Sequence, residues 1–191
     1  MCADDHCQRY QGVTRSFSPQ AKQAIDATRG QILVYGGEIC DARFGKCCGG
    51  MTNTYRHCWD NKDLPYLQHV DDPYCSQATP QVLDQVLNDY DRETTDFLEW
   101  TVEYSQQEMQ ELVNENLRTD LGQITDLQDV ERSPSGHLSK LKIVGTQKEF
   151  TIGKELEIRR TLSRSHLKSS AFRVERLDIV DGIPQRFRLC G

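Results

Sequence analysis

The sequence predicts an α+β fold of small mixed sheets with packed helices, arranged as two lobes that form a cleft. Two observations lead there. Capped helical segments alternate with paired extended runs, and the apolar period changes from helical spacing toward two from Ile124. Seven of the eight cysteines fall within the first 75 residues, which favours a local metal or disulfide cluster over general use of cysteine in the core.

Taken in order, Ser18-Pro19 ahead of A-K-Q-A-I-D-A-T predicts a helix with serine as its cap and proline at its first position, ended by Arg29-Gly30. Q-I-L-V-Y and E-I-C-D-A-R-F about Gly36-Gly37 predict a β-hairpin. Asp71-Asp72-Pro73 marks a turn-rich loop, after which Thr79-Pro80 repeats the cap-plus-proline signal. Val82, Leu83, Val86, Leu87 and Tyr90 then share one helical face. A short strand is expected around Phe97 to Tyr104. Ser105-Gln106-Gln107-Glu108 is a capping box that opens a helix burying Met109, Leu112, Val113 and Leu117. From Ile124, I-T-D-L-Q-D-V-E-R, the turn S-P-S-G and H-L-S-K-L-K-I-V-G predict a second hairpin. Lys148 to Ile152 adds a third strand, Glu155 to Leu162 a short helix, and Phe172 to Ile179 another strand. The division expected is a lobe over 1–78, carrying the first hairpin and the Cys-Cys-Gly-Gly loop, and a second α+β lobe over 79–191.

A chain of 191 residues can bury a core without staples, so the cysteines are not expected to be obligatory for stability. No apolar run approaches the roughly 18 residues a membrane helix needs, so no membrane segment is expected. No charged and then apolar leader is present, which places any export signal outside this chain. The net charge of −6 is uneven, with 12 of the 23 basic but only 6 of the 29 acidic residues in 136–191. That makes about +6 there and −12 (11 minus 23) elsewhere. An acidic chain argues against nucleic acid as a partner and suits a neutral or carbohydrate ligand.

The chemistry-bearing residues are few. Cys2, His6 and Cys7 place soft ligands close together, and zinc would take a further ligand from Cys47 or Cys48. Disulfides or free thiols are the rival reading, because the spacing matches no strong zinc-finger pattern. A nucleophilic Cys47 or Cys48 would need a base, for which His57 is nearest in sequence. Gly49 and Gly50 offer backbone N–H groups and close approach to a ligand. Trp59 and Tyr66, the latter after Pro65, would suit a sugar groove or a packed core equally well.

The ordered set A-I-D-A-T-R-G-Q-I-L-V-Y-G-G-E-I, F-G-K-C-C-G-G-M-T, C-W and L-P-Y-L-Q-H-V-D-D-P resembles the SpoIID/LytB family, the stage II sporulation protein D and amidase-enhancer group. H-C-Q-R-Y-Q-G, S-G-H-L-S-K-L-K-I-V-G, E-I-R-R-T-L and L-K-S-S-A-F-R-V extend the likeness. The resemblance implies one SpoIID-like domain in an extracytoplasmic protein acting on peptidoglycan glycan strands. In one branch of the family the activity is lytic transglycosylation; in the other, enhancement of a cell-wall amidase or hydrolase. It also implies that Cys48, Gly49, Gly50, Thr52, Trp59 and Tyr66 line a substrate cleft, in a loop where the family carries histidine and serine before the glycine pair. The family's catalytic glutamate precedes the H-C-Q region, and its glycine-histidine-glycine motif follows a leucine-cysteine-glycine segment. The chain is therefore expected to be an internal piece with no catalytic residue of its own and no glycan-cleaving activity alone. No cofactor is required on this reading. Zinc is the candidate metal, with Cys2, His6, Cys7 and Cys48 as candidate ligands.

Overall fold

The computed structural model describes residues 18–43, 45, 47–77, 79, 81–82 and 99–191. Cys2, His6 and Cys7 lie outside the described residues, as do Leu83, Val86, Leu87 and Tyr90 of the expected helix and Phe97 of the expected strand. The lobe boundary expected at 78/79 falls at the edge of the undescribed stretch. The chain divides into two units, one up to Ala42 and one over Arg43–Gly191.

In the first unit the Ser18 hydroxyl accepts from Ala21 N at 3.3 Å and Pro19 opens α1 (Pro19–Thr28), as the cap signal requires. Gly36 and Gly37 turn β1 (Val34–Tyr35) back on β2 (Glu38–Ile39), pairing Val34 with Ile39. Cys40 N to Leu33 O, 2.9 Å, lengthens the hairpin.

The second unit carries the core. Two short helices, α2 (Tyr55–Cys58) and α3 (Tyr74–Gln77), precede β3 (Thr101–Ser105). Ser105 then caps α4 (Gln106–Leu117): its hydroxyl accepts from Glu108 N at 3.2 Å, and the Glu108 carboxylate accepts from Ser105 N at 2.8 Å. The apolar face of α4 buries Met109, Leu112 and Val113, with Leu117 at its edge.

Strands β4 (Ile124–Arg132), β5 (Leu138–Gly145) and β6 (Glu149–Ile152) form an antiparallel sheet in chain order. Along β5, the buried Leu141 and Ile143 alternate with the less buried Lys140 and Lys142, the period of two that half-buried strands show. Helix α5 (Glu155–Thr161) adds Ile158 to the same core, followed by Leu162.

A second antiparallel sheet has the order β3-β8-β7, with β7 over Arg173–Val180 and β8 over Ile183–Cys190. Its central strand, β8, was not anticipated from the sequence. Asp181-Gly182, with φ of 50° and 81°, makes the tight turn between β7 and β8. Phe187 and Leu189 of β8 are fully buried, while Arg186 and Arg188 alternate outward to Glu103, Glu175 and Asp178. The α+β class is as the sequence predicts. Among the described residues, no helix is long and apolar enough to cross a membrane.

Candidate functional site

The Cys47-Cys48-Gly49-Gly50 stretch is a turn that only glycine takes without strain, since Gly49 and Gly50 hold φ of 69° and 116°. The turn aims the N–H groups of Gly49 and Gly50 at the sulfurs of Cys47 and Cys48. It also sends the chain alongside residues 67–72. Asp72 N donates to Gly50 O (2.9 Å), Thr52 N to Val70 O (2.9 Å) and Tyr55 N to Leu67 O (3.1 Å), while Met51 bridges Asp71. The Thr52 hydroxyl accepts from Val70 N at 2.8 Å. Asp72 Oδ1 then accepts from Tyr74 N at 3.4 Å, and the following turn, α3, carries Cys75 back over the glycine loop.

The result is a cluster no single stretch of sequence contains. Cys48 Sγ lies 3.6 Å from Cys75 Sγ and 3.5 Å from Asp72 Oδ2, and the Cys47 thiol also hydrogen-bonds Cys75. The three thiols are not equivalent. The Cys48 N–H holds Cys75 below the usual thiol range, helped by the Cys48 and Cys47 thiols. Burial, with Cys75 alongside, raises Cys47 and pushes Cys48 up to about 11. Of the three, Cys75 is the thiol whose surroundings favour the thiolate. Two thiols and a carboxylate at these distances, with the Cys47 thiol hydrogen-bonded to Cys75 beside them, can ligate a soft divalent cation, and the thiols can pair oxidatively.

His57 is turned elsewhere. Its Nδ1 lies 2.6 Å from the Thr54 hydroxyl and its Nε2 lies 3.9 Å from Glu131 Oε1, so the thiol–imidazole pairing considered from sequence is not made. Burial lowers its pKa, against the pull of Glu131. Cys58, beside it in sequence, is pushed up to about 11 by burial and then by Glu155. Trp59 is 41% exposed and stacks with Tyr55 at 5.5 Å, with the Arg43 guanidinium 5.0 Å from the Trp59 ring centre.

Cys48, Gly49, Gly50 and Thr52 therefore stand together at one end of the paired stretch 50–55/67–72. Trp59 and Tyr66 stand on the 56–66 connection that closes its other end. Sequence reasoning missed Asp72 and Cys75, which it treated as a turn and as one more cysteine. The available signal was D-P-Y-C itself, an aspartate-capped turn delivering a cysteine just after the stretch that pairs with C-C-G-G.

A concavity of about 670 Å³ lies elsewhere in the same unit, against Trp100, Arg132, Phe172 and Arg173. The Trp100 indole N–H is buried there without a hydrogen-bond partner. Arg132 is held by Asp129 and by the carbonyls of Gly136 and Phe172, so its guanidinium is engaged in the fold.

Comparison with known proteins divides the chain. Residues 1–35 match a stage II sporulation protein family, SpoIID, which supports the resemblance over that stretch. No curated protein matches the chain. Residues 53–191, most of the chain and all of its described core, match a domain of unknown function, DUF8618, and the chain belongs to that family.

Proposed function

We propose that this chain is an extracytoplasmic module that binds peptidoglycan glycan strands. The match of residues 1–35 to the stage II sporulation protein family carries the reading. The surface of residues 43–77 supports it. Trp59, which is exposed, and Tyr55 carry the Arg43 guanidinium over their rings, and such an aromatic and cationic surface can stack on the apolar face of a sugar ring and hydrogen-bond its hydroxyls. The Gly49-Gly50 turn adds an open approach, with nothing within 4 Å of a side chain added at either position.

Three of the carboxylates suit binding rather than cutting. Lytic cleavage asks a carboxylic acid to protonate the leaving glycosidic oxygen and then to act as base. Glu131 is held below the usual carboxylate range by Lys140 and Ser139, Glu103 by Arg188, and Glu108 by the backbone and hydroxyl of Ser105. None of the three is poised as a proton donor.

The reading is tested by co-sedimentation of the purified chain with intact wall and with wall stripped of stem peptides. Retention on the stripped glycan is expected, weakened about 2- to 12-fold in Trp59→Ala, the equivalent of about 0.5–1.5 kcal/mol of aromatic contact. No retention on either wall would sink the proposal. Anhydro-muramoyl ends released by the chain alone would replace binding with catalysis. A wall amidase accelerated by a chain that does not itself sediment would favour the activator role of the other family branch.

A further inference from the structure

The segment 43–77 holds its shape with almost nothing inside it. Among its described residues Thr54 is the sole buried one, and the buried apolar core begins at Trp100. Peptide stretches that cannot bury apolar area usually depend on a cross-link or a metal. Backbone bonds between 50–55 and 67–72 set the register of this one, but they do not exclude water.

The cluster at its open end has the dimensions of a coordination sphere. In a tetrahedral zinc site with Zn–S near 2.3 Å, two sulfurs stand about 3.8 Å apart, and a sulfur and a carboxylate oxygen about 3.6 Å apart. Cys48 and Cys75 sulfurs are 3.6 Å apart, and Cys48 Sγ is 3.5 Å from Asp72 Oδ2. One ligand atom each from Cys48, Asp72 and Cys75 lies within 4.8 Å of the others. The supporting shell is also in place, because the N–H groups of Gly49, Gly50 and Cys48 point at the sulfurs of Cys47, Cys48 and Cys75.

We propose that Cys48, Asp72 and Cys75, with Cys47 as the fourth ligand, bind one zinc ion that staples the 47–52 loop to the 72–75 turn. Four protein ligands close the coordination sphere, which makes the site structural, with no open position for a substrate or an activated water. Binding a neutral set of three thiols releases their protons to solvent as the thiolates form on the metal. The site shares Cys48 with the Cys2, His6, Cys7 and Cys48 set considered from sequence and takes its other ligands from Cys47, Asp72 and Cys75. It stands independently of the glycan reading.

The test uses the full chain with Cys2→Ser and Cys7→Ser, isolated under reductant and titrated with Co2+ and then Zn2+. One equivalent of Co2+ should bind with the intense visible bands of a tetrahedral thiolate site, and Zn2+ should displace it. Cys48→Ser and Cys75→Ser should each abolish those bands, while Asp72→Asn should keep thiolate absorption and weaken affinity by at least about 10-fold. Because a serine variant can fail to fold, the unmodified chain is also alkylated with and without Zn2+. Zinc should protect Cys47, Cys48 and Cys75 selectively over Cys40 and Cys190, and a chelator should restore their reaction. Cobalt bands unaffected by Cys48→Ser and Cys75→Ser, alkylation indifferent to zinc, or a Cys48–Cys75 disulfide that persists in zinc would each overturn the assignment. Loss of zinc with glycan binding intact would leave the glycan reading standing.

Discussion

Gln106 shows how much one side chain can do when it is buried with every group satisfied. Its amide N–H groups donate to Ile124 O and Pro184 O, both at 2.7 Å, and its carbonyl accepts from Ile124 N at 3.0 Å. One residue of α4 thereby ties the start of β4 to the start of β8. Gln106→Leu keeps the volume but orphans those backbone groups, and should cost about 1–3 kcal/mol, read as a lower urea midpoint. In the sequence Gln106 was only a member of the capping box, because its partners lie 18 and 78 residues away. Two histidines make a second residue-scale prediction. Burial lowers the pKa of both His57, which faces Glu131, Lys154, Arg56 and Asp63, and His137, which faces Glu155, Arg159 and Arg132. Between their folded pKa values and the unfolded value of about 6.5, the unfolded chain binds more protons, so stability rises with pH. The stabilisation is complete above that value and is lost as pH falls through the folded pKa values. Glu103, Glu108 and Glu131, whose pKa values are lowered, lose theirs only in the more acidic carboxylate range. The drop in urea midpoint from about pH 7.5 to about pH 5.5 should therefore shrink in a His57→Gln, His137→Gln double variant.

At the scale of elements, the most readable signals were those closed within four residues. The Ser18-Pro19 start of α1, the Ser105–Glu108 capping box and the Gly36-Gly37 hairpin all formed where the local chemistry placed them. Ser105→Ala should cost about 1 kcal/mol of stability. Glu108→Ala in that background should then cost less than it does alone, since each partner holds the other, and a double-mutant cycle in urea measures the difference. Strand β8 escaped notice although Asp181-Gly182 is a strong hairpin turn. Pro184 near its start and the charges at Arg186 and Arg188 weaken the strand signal of I-P-Q-R-F-R-L-C. The strand becomes central because β3 and β7 both pair with it, and its charges are met by Glu103, Glu175 and Asp178 on those neighbours.

For the whole molecule, the distribution of burial matters more than its amount. All fully buried apolar side chains among the described residues lie between Trp100 and Leu189, in two three-stranded sheets with α4 and α5. The first unit exposes Ile25, Leu33, Val34, Tyr35 and Ile39. Native-state hydrogen exchange should accordingly be slowest in α4, β5 and β8 and fastest in α1 and the β1–β2 hairpin, because opening free energy follows buried contact. Equal protection of α1 and β5 would contradict this distribution.

The α+β class, the order of most elements and the glycine turn at the cysteines were legible in the linear order of residues. Caps, turns and apolar periods act between neighbours a few positions apart, so the information lies in one short window. The partners of Cys48 could not be read that way. Asp72 and Cys75 reach it only because 50–55 pairs with 67–72, and the long-range backbone bonds that set this register leave no mark in either stretch alone. The same physics placed β8 at the centre of its sheet and Gln106 between two strands. Where a contact joins distant windows, the composition of each window permits it, and the packing of the rest of the chain selects it.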